Sequence, residues 1–285
     1  MMANILLVGT ATLDLVFTLD HAPGPDEEMR AQQLRTVRGG NAANSAVVLS
    51  QLGHQCQFVG TLADAPESVV ITEDFIRYGI DFQHSPRLPG KPPTSSIYLS
   101  HEARSIVHYR ELPELAADAL DRVALDELDW AHFEGRNVQA LSAMMHTLRH
   151  RRPALPISLE LEKPRPGIEQ LYTLPDWLLC SRGFAEQHSP GPLANFLCQM
   201  RKLAPQAGVI VAAGSEGAYA MQGEQLHHAS AQAPGQVVDT LGAGDTFNAA
   251  IIAALLSEQP LPTTLHSACA LAGRKCGMRG FNLHF

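Results

Sequence analysis

The residues best equipped for chemistry form one stretch, Asp239-Thr240-Leu241-Gly242-Ala243-Gly244-Asp245-Thr246-Phe247-Asn248. Gly242 and Gly244, one residue apart, let the backbone turn sharply, so that successive N–H groups point at one spot. The apolar run 247–256 that follows reads as a buried helix whose N-terminus faces that spot. A helix start offers orphan N–H donors and the positive end of the dipole, which suits a phosphate or a developing oxyanion. A carboxylate here repels the anion unless it has work to do. For Asp245 that work is accepting a proton from an attacking hydroxyl or holding Mg²⁺. The helix dipole is expected to keep it in the low, charged range. A two-glycine turn before a helix with Asp in its first turn is also an ordinary loop, so the residue types alone leave both readings open.

Other chemical groups are scattered along the chain. Asp14 follows the apolar run Ile5-Leu6-Leu7-Val8-Gly9, which places it just past the carboxyl end of a strand, where open α/β sheets bind ligands. Asn41 and Asn44, three apart after Arg38-Gly39-Gly40, lie on one side of a helix's first turn and can offer donors and acceptors to a polyol. Asn41 would serve equally as an N-cap, and Asn44 as a surface residue. Arg110 closes an extended segment that would hang over the site. His146 and His150 have metal-ligand spacing on a helix but no nearby carboxylate, and read as surface residues. No GxxxxGK[ST] pattern occurs, which argues against the P-loop route to ATP.

Strands and helices that position these groups alternate. After the first strand, residues 15–37 read as extended pieces around the turn His21-Ala22-Pro23-Gly24-Pro25-Asp26. A helix then opens at Asn41, with a strand at 55–60, a helix at 67–79 facing Val70, Phe75 and Tyr78 inward, and a short strand Ile80-Asp81-Phe82. The rhythm breaks at 95–100 and 105–109, two extended runs joined by His101-Glu102-Ala103-Arg104, which read as a hairpin. With the earlier extended pieces it makes a small β lid. The alternation resumes with strands near 131–133, 155–160, 177–180 and 209–211, each ending in polar residues, and helices to about 149, at 168–174 and at 193–203. The turn Gly214-Ser215-Glu216-Gly217, a hairpin at 218–228 and two final helices complete the pattern. The expectation is α/β: a three-layer sandwich with a central, mostly parallel sheet.

Composition sets outer bounds. The chain has 285 residues, 45% hydrophobic and 18% charged, enough to bury a large core. Its net charge of -8 argues against a general nucleic-acid or anionic-membrane surface. The five cysteines are scattered without CxxC spacing, which suggests reduced core residues in a cytoplasm. The N-terminus lacks a basic n-region, and no apolar run approaches the roughly 20 residues of a membrane span.

The ten-residue stretch resembles the D-T-x-G-A-G-D signature of the ribokinase-like (pfkB) carbohydrate kinases. The chain resembles the ketohexokinase (fructokinase) branch of that family at Arg38-Gly39-Gly40-Asn41-Ala42-Ala43-Asn44-Ser45, Phe133-Glu134-Gly135-Arg136-Asn137, Glu160-Leu161-Glu162-Lys163-Pro164-Arg165 and the segment 272–281. The resemblance implies one ribokinase-like kinase domain over 1–285, with lid strands from about 11–38 and 92–112. It implies transfer of the ATP γ-phosphate, with Mg²⁺, to a small sugar, a ketohexose such as fructose first. Alternatives are another polyol, a modified sugar or nucleoside, or a non-catalytic sugar or nucleotide-binding regulator. Asp245 would be the base and Gly242, Ala243 and Gly244 the anion hole. Asp14, Gly40, Asn41 and Asn44 would bind the sugar. Gly214, Ser215, Glu216 and Gly217 would hold the nucleotide with Gly242 and Gly244, and Arg110 would meet its phosphates. The metal ligands are unassigned, because Ser181-Arg182-Gly183-Phe184 stands where many members carry Asn-x-x-Glu. The lid, rich in Val16, Phe17, Ile97, Tyr98, Ile106 and Val107, is expected to form a clasp-to-clasp homodimer, with Asp26 reaching the partner's sugar site.

Overall fold

β1 (Asn4–Val8) is apolar on both faces because it is covered on both: Ile5 and Leu7 pack into one core layer, Leu6 and Val8 into the other. In the computed structural model, which describes residues 2–100 and 104–283, the chain continues through β2 (Thr12–Thr18), β3 (Gln33–Gly39), α1 (Asn41–Gln51), β4 (Gln55–Val59) and β5 (Leu62–Ala63). Next come α2 (Val69–Arg77), β6 (Arg87–Leu88), β7 (Thr94–Leu99), β8 (Arg104–Tyr109), β9 (Trp130–Glu134), α3 (Val138–Arg151), β10 (Ile157–Leu161) and β11 (Trp177–Ser181). The last elements are α4 (Arg182–His188), α5 (Leu193–Leu203), β12 (Gly208–Ala212), β13 (Ala218–Gln222), β14 (Gln225–Ala229), α6 (Ala243–Leu256) and α7 (Leu261–Cys276).

Eight strands form the main sheet in the order β14-β13-β12-β11-β10-β9-β1-β4. The run from β12 to β4 is parallel, and β13 and β14 are antiparallel at one edge. Helices α1, α2, α6 and α7 cover one face; α3, α4 and α5 cover the other. The carboxyl ends of β1, β9 and β10 therefore open on one side, beside the N-termini of α1 and α6. The alanines of α1, Ala42, Ala43 and Ala46, are fully buried, and their small side chains let α6 approach closely enough for the Ser45 hydroxyl to donate to the Asp245 carbonyl at 3.1 Å.

A second sheet, β3-β2-β7-β8, stands off the first and is the expected lid. Its turn residues His101-Glu102-Ala103 lie outside the described residues. Alternation along the strands gives it two faces. Asp14, Val16, Ser95, Ile97, Ile106 and His108 line the cleft beneath, while Leu34, Phe17 and Tyr98 sit abreast on the other face, with Phe17 and Tyr98 stacked at 5.5 Å. Val16 and Ile97 are already buried within the chain, contrary to their expected exposure, because they face the cleft wall. The exposed apolar side chains of this sheet are Leu34, Ile106, Val107 and Tyr109.

Three local expectations differ from the structure. Ile80-Asp81-Phe82 makes a single bridge, Gln57 to Asp81, because the Asp81 carboxylate accepts the Gln83 N–H at 2.9 Å and turns the chain away. The helix expected from 67 begins as a 3₁₀ turn (Pro66–Ser68), and it buries Ile71 and Phe75 while Val70 and Tyr78 stay half-exposed. Helix α4 was not expected; the Ser181 hydroxyl caps it by accepting the Phe184 N–H at 3.0 Å.

Candidate active site

Between the lid and the carboxyl edge of the main sheet lies a cleft of about 940 Å³. Asp14, Gly40, Asn41, Asn44, Gly242, Gly244 and Asp245 all line it, although they come from three separate parts of the chain. Gly40 precedes α1 at φ 96°, and a Cβ there would lie 2.1 Å from the Thr10 carbonyl oxygen, so only glycine lets α1 start against the end of β1.

Asp245 sits in the first turn of α6, and Gly242 is that helix's N-cap in the left-handed region, at φ 74°. No side chain caps the helix. The Ala243 N–H turns back to the Thr240 carbonyl at 3.3 Å, whereas the N–H groups of Gly244 and Asp245 have no acceptor among the described residues. Open space lies where a Cβ of Gly244 would stand. These are free donors at the positive end of a 14-residue helix, an arrangement that suits an anion. Behind the loop, the Phe281 ring occupies the place of a Gly242 side chain, with its Cζ 2.0 Å from the ideal Cβ position. The fully buried Lys275 ammonium donates to the Asp239 carbonyl at 2.9 Å and lies 5.6 Å from the Phe281 ring centre. From the lid, Arg35 reaches the Asp239 carboxylate at 3.4 Å.

Asp245 is held by Asn44, whose amide donates to its Oδ2 at 2.5 Å. The Asn44 carbonyl accepts from Arg38, which is itself buried and paired with Asp74 at 2.7 Å. Asn44 is thus a buried bridge rather than a surface residue. The expectation of a low Asp245 pKa is overturned: burial, with Glu162 and Glu134 adding negative charge, pushes it up to about 7 against the lowering by Asn44 and Arg38. The helix dipole loses to desolvation here. Asp14 is raised in the same way by burial, while hydrogen bonds from Thr12, at 2.7 Å, and Ser95 oppose the shift.

Two glutamates complete the floor, and the sequence reading assigned neither a role. Glu134, at the end of β9, accepts the Thr10 N–H at 2.8 Å and the Ala42 N–H at 3.4 Å, and pairs with Arg136 at 3.3 Å. Glu160, near the end of β10, accepts from Asn41 at 3.2 Å and Asn248 at 2.9 Å. Their signal was a polar residue closing an apolar strand.

Other expected site residues stand outside the cleft. Arg110 donates to the Leu112 carbonyl at 3.0 Å and pairs with Glu114 at 2.8 Å, so it does not overhang the cleft as expected; Arg104 on the lid and Arg136 and Arg165 on the sheet side are among the cations on its wall. Gly214, Ser215, Glu216 and Gly217 form a tight turn after β12, whose last residue Ala212 reaches the cleft, and Glu216 pairs with Arg182 at 2.6 Å. Asp26 is on an exposed turn at φ 58°. His146 and His150 are exposed on α3. Among the described residues no group of three His, Cys, Asp or Glu could hold a metal ion, and no helix is long and apolar enough to cross a membrane.

Residues 2–283 match the model of the pfkB family carbohydrate kinases. The chain belongs to this family. The kinase is 34% identical to the ketohexokinase of Mus musculus over 98% of both chains, and 27% identical to the ribokinase of Bacillus subtilis over 94% of this chain and 90% of that one. Its fold is that of the Arabidopsis thaliana ribokinase complexed with ribose and ATP (TM-score 0.80, 23% identity, 98% of this chain and 94% of that one). The ribokinase of Giardia lamblia is similar too (TM-score 0.85, 17% identity, 98% and 95%). The kinase is thus a phosphotransferase with an alcohol acceptor, of the ribokinase type.

Proposed function

We propose that this kinase transfers the γ-phosphoryl group of ATP to a hydroxyl of a ketohexose, fructose first. The observation that carries the reading is Asp245 beside two free N–H groups at the uncapped start of α6, on the floor of a cleft lined with hydroxyl-binding groups. The similarity to a ketohexokinase along the whole chain supports the choice of sugar.

In this reading the acceptor sugar lies among Asp14, the Gly40 backbone, Asn41 and Asn44, with the reacting hydroxyl at Asp245. That carboxylate takes the hydroxyl proton as the bond from the hydroxyl oxygen to the γ-phosphorus forms and the bond from that phosphorus to the bridging oxygen breaks, releasing ADP. Phosphoryl transfer is mostly positioning and electrostatic stabilisation, so the free donors of Gly244 and Asp245 carry much of the load as charge spreads over the equatorial oxygens. The nucleotide runs from there toward the turn Gly214-Ser215-Glu216-Gly217. Arg110 can meet its phosphates only by leaving Glu114. Mg²⁺ is usually held by one or two carboxylates together with substrate phosphates; here Glu162, on the cleft wall and part-exposed, fits that description. Bound Mg²⁺ would neutralise phosphate charge.

The test is ADP release measured with a panel of ketoses, aldoses, pentitols and nucleosides. Fructose or another ketohexose is expected to give the highest kcat/KM. Turnover confined to nucleosides or pentitols would overturn the sugar assignment.

A further inference from the structure

Glu160 has one oxygen fully engaged and one without a partner. Its side chain is 6% exposed, yet it lines the cleft. Oε1 accepts from two amides on different helices, Asn41 at the start of α1 and Asn248 one turn beyond Asp245 on α6. These two bonds fix where the carboxyl stands. Oε2 is buried and has no hydrogen-bond partner. Buried carboxyl oxygens are nearly always satisfied, and an exception on a cleft wall calls for a ligand. Glu160 lines the cleft, so a polar group of the bound molecule can reach this oxygen. Given that the acceptor is a sugar, that group is a hydroxyl.

We infer that Glu160 is a sugar-binding residue of this kinase, holding through Oε2 a hydroxyl other than the one that reacts at Asp245. The inference rests on the sugar-kinase reading and deepens it. Burial, and after it the neighbouring Asp245, Glu134 and Glu162, raise the Glu160 carboxyl well above the usual range. Fixed carboxyls of this kind discriminate between sugars, because an analogue lacking the matching hydroxyl leaves the oxygen unpaired again.

The experiment is calorimetric titration of fructose and its single-deoxy analogues into the wild-type, Glu160→Ala and Asn41→Ala proteins, with ATP binding measured alongside. Glu160→Ala should weaken fructose by about 10- to 100-fold and leave ATP within a few-fold. One deoxy analogue should bind worse than fructose to the wild type yet equally with fructose to Glu160→Ala, and it should differ from the analogue that behaves this way with Asn41→Ala. Fructose binding unchanged in Glu160→Ala, or the same analogue silenced by both variants, would overturn the inference; the second result would mean that Glu160 only positions Asn41. If Glu160→Ala does not fold, infrared difference spectra of wild-type protein carrying ¹³C-labelled glutamate answer the same question. A glutamate carboxyl band should shift on adding fructose, and no shift overturns the proposal. Wild-type protein that binds fructose with Glu160 engaged but releases no ADP would sink the kinase reading alone. Wild-type protein that binds none of these sugars overturns both.

Discussion

Asp245 works from a burial that disfavours its charged form. With its pKa near 7, kcat/KM should fall as pH drops through about 7, because the free enzyme then loses its proton acceptor. Asp245→Asn should lower turnover by roughly 10²-fold or more while ATP binding persists; near-normal turnover in the folded variant would exclude the base role. The same shift has a stability consequence of definite sign. A carboxyl raised from 3.8 to about 7 is tolerated by the fold below pH 4, and the folded state loses stability as pH rises through 7. Asp245→Asn should therefore melt within a degree or so of wild type at pH 4 and a few degrees above it at pH 8, a difference worth at most about 4 kcal/mol. Equal melting at both values would mean that Asp245 is not desolvated. Asn44→Ala, which removes the bond that lowers Asp245, should move the acid limb to higher pH as well as raise the sugar KM. Asn41→Ala should raise the sugar KM much more than the ATP KM, and the reverse would misplace the sugar. The place of Asp245 at the cleft was legible because its signature is local. Asn44 as its donor was not, since that contact joins residues 201 apart. The low pKa expected from the helix dipole failed because a sequence does not display burial or neighbouring charge.

At the scale of elements, the anion loop is a turn wedged between α6 and the Phe281 ring. Gly242 has both reasons to be glycine, a left-handed φ of 74° and a ring 2.0 Å from the place of a Cβ. Gly242→Ala should displace the loop, cut kcat by at least about tenfold and leave sugar affinity near wild type, since strain of this kind costs about 1–3 kcal/mol at the loop itself. An unaltered kcat would show that the free N–H groups of Gly244 and Asp245 do not need this turn. The strands and helices that carry the site were readable from apolar runs and their polar ends: β1, α1, β9, β10 and α6 all stand where periodicity places them. Helix α4 was not readable, because one serine cap at Ser181 decides it and the preceding strand hides the helical spacing. The pairing of Arg110 with Glu114, four residues on, was not readable either, and it holds the side chain off the cleft.

On the scale of the whole molecule, the lid keeps apolar side chains exposed at Leu34, Val107 and Tyr109 on one face and edge. We propose that a second copy covers them, with Asp26 of each protomer reaching the other's sugar. Val107→Glu should then yield a monomer in sedimentation, and a variant that sediments as wild type would place the contact elsewhere. If the Asp26 role holds, Asp26→Ala and Asp245→Ala proteins, each inactive alone, should regain activity on mixing once heterodimers form. Heterodimers without activity would remove Asp26 from the site and leave the kinase itself untouched. The family, and through it the sheet with its flanking helices, could be read from a single stretch together with four ordered matches, because several specific local patterns in one order leave little freedom. Which faces stay bare could not, because strand alternation marks two faces without saying which one the chain covers. The central claim is that this protein phosphorylates a sugar with Asp245 as proton acceptor, and ³¹P NMR of the protein incubated with ATP, Mg²⁺ and fructose tests it directly. The account predicts a new sugar phosphomonoester resonance growing in step with ADP, and only at a trace rate with Asp245→Asn; ADP appearing without any sugar phosphate, or the same product rate from both proteins, would contradict it.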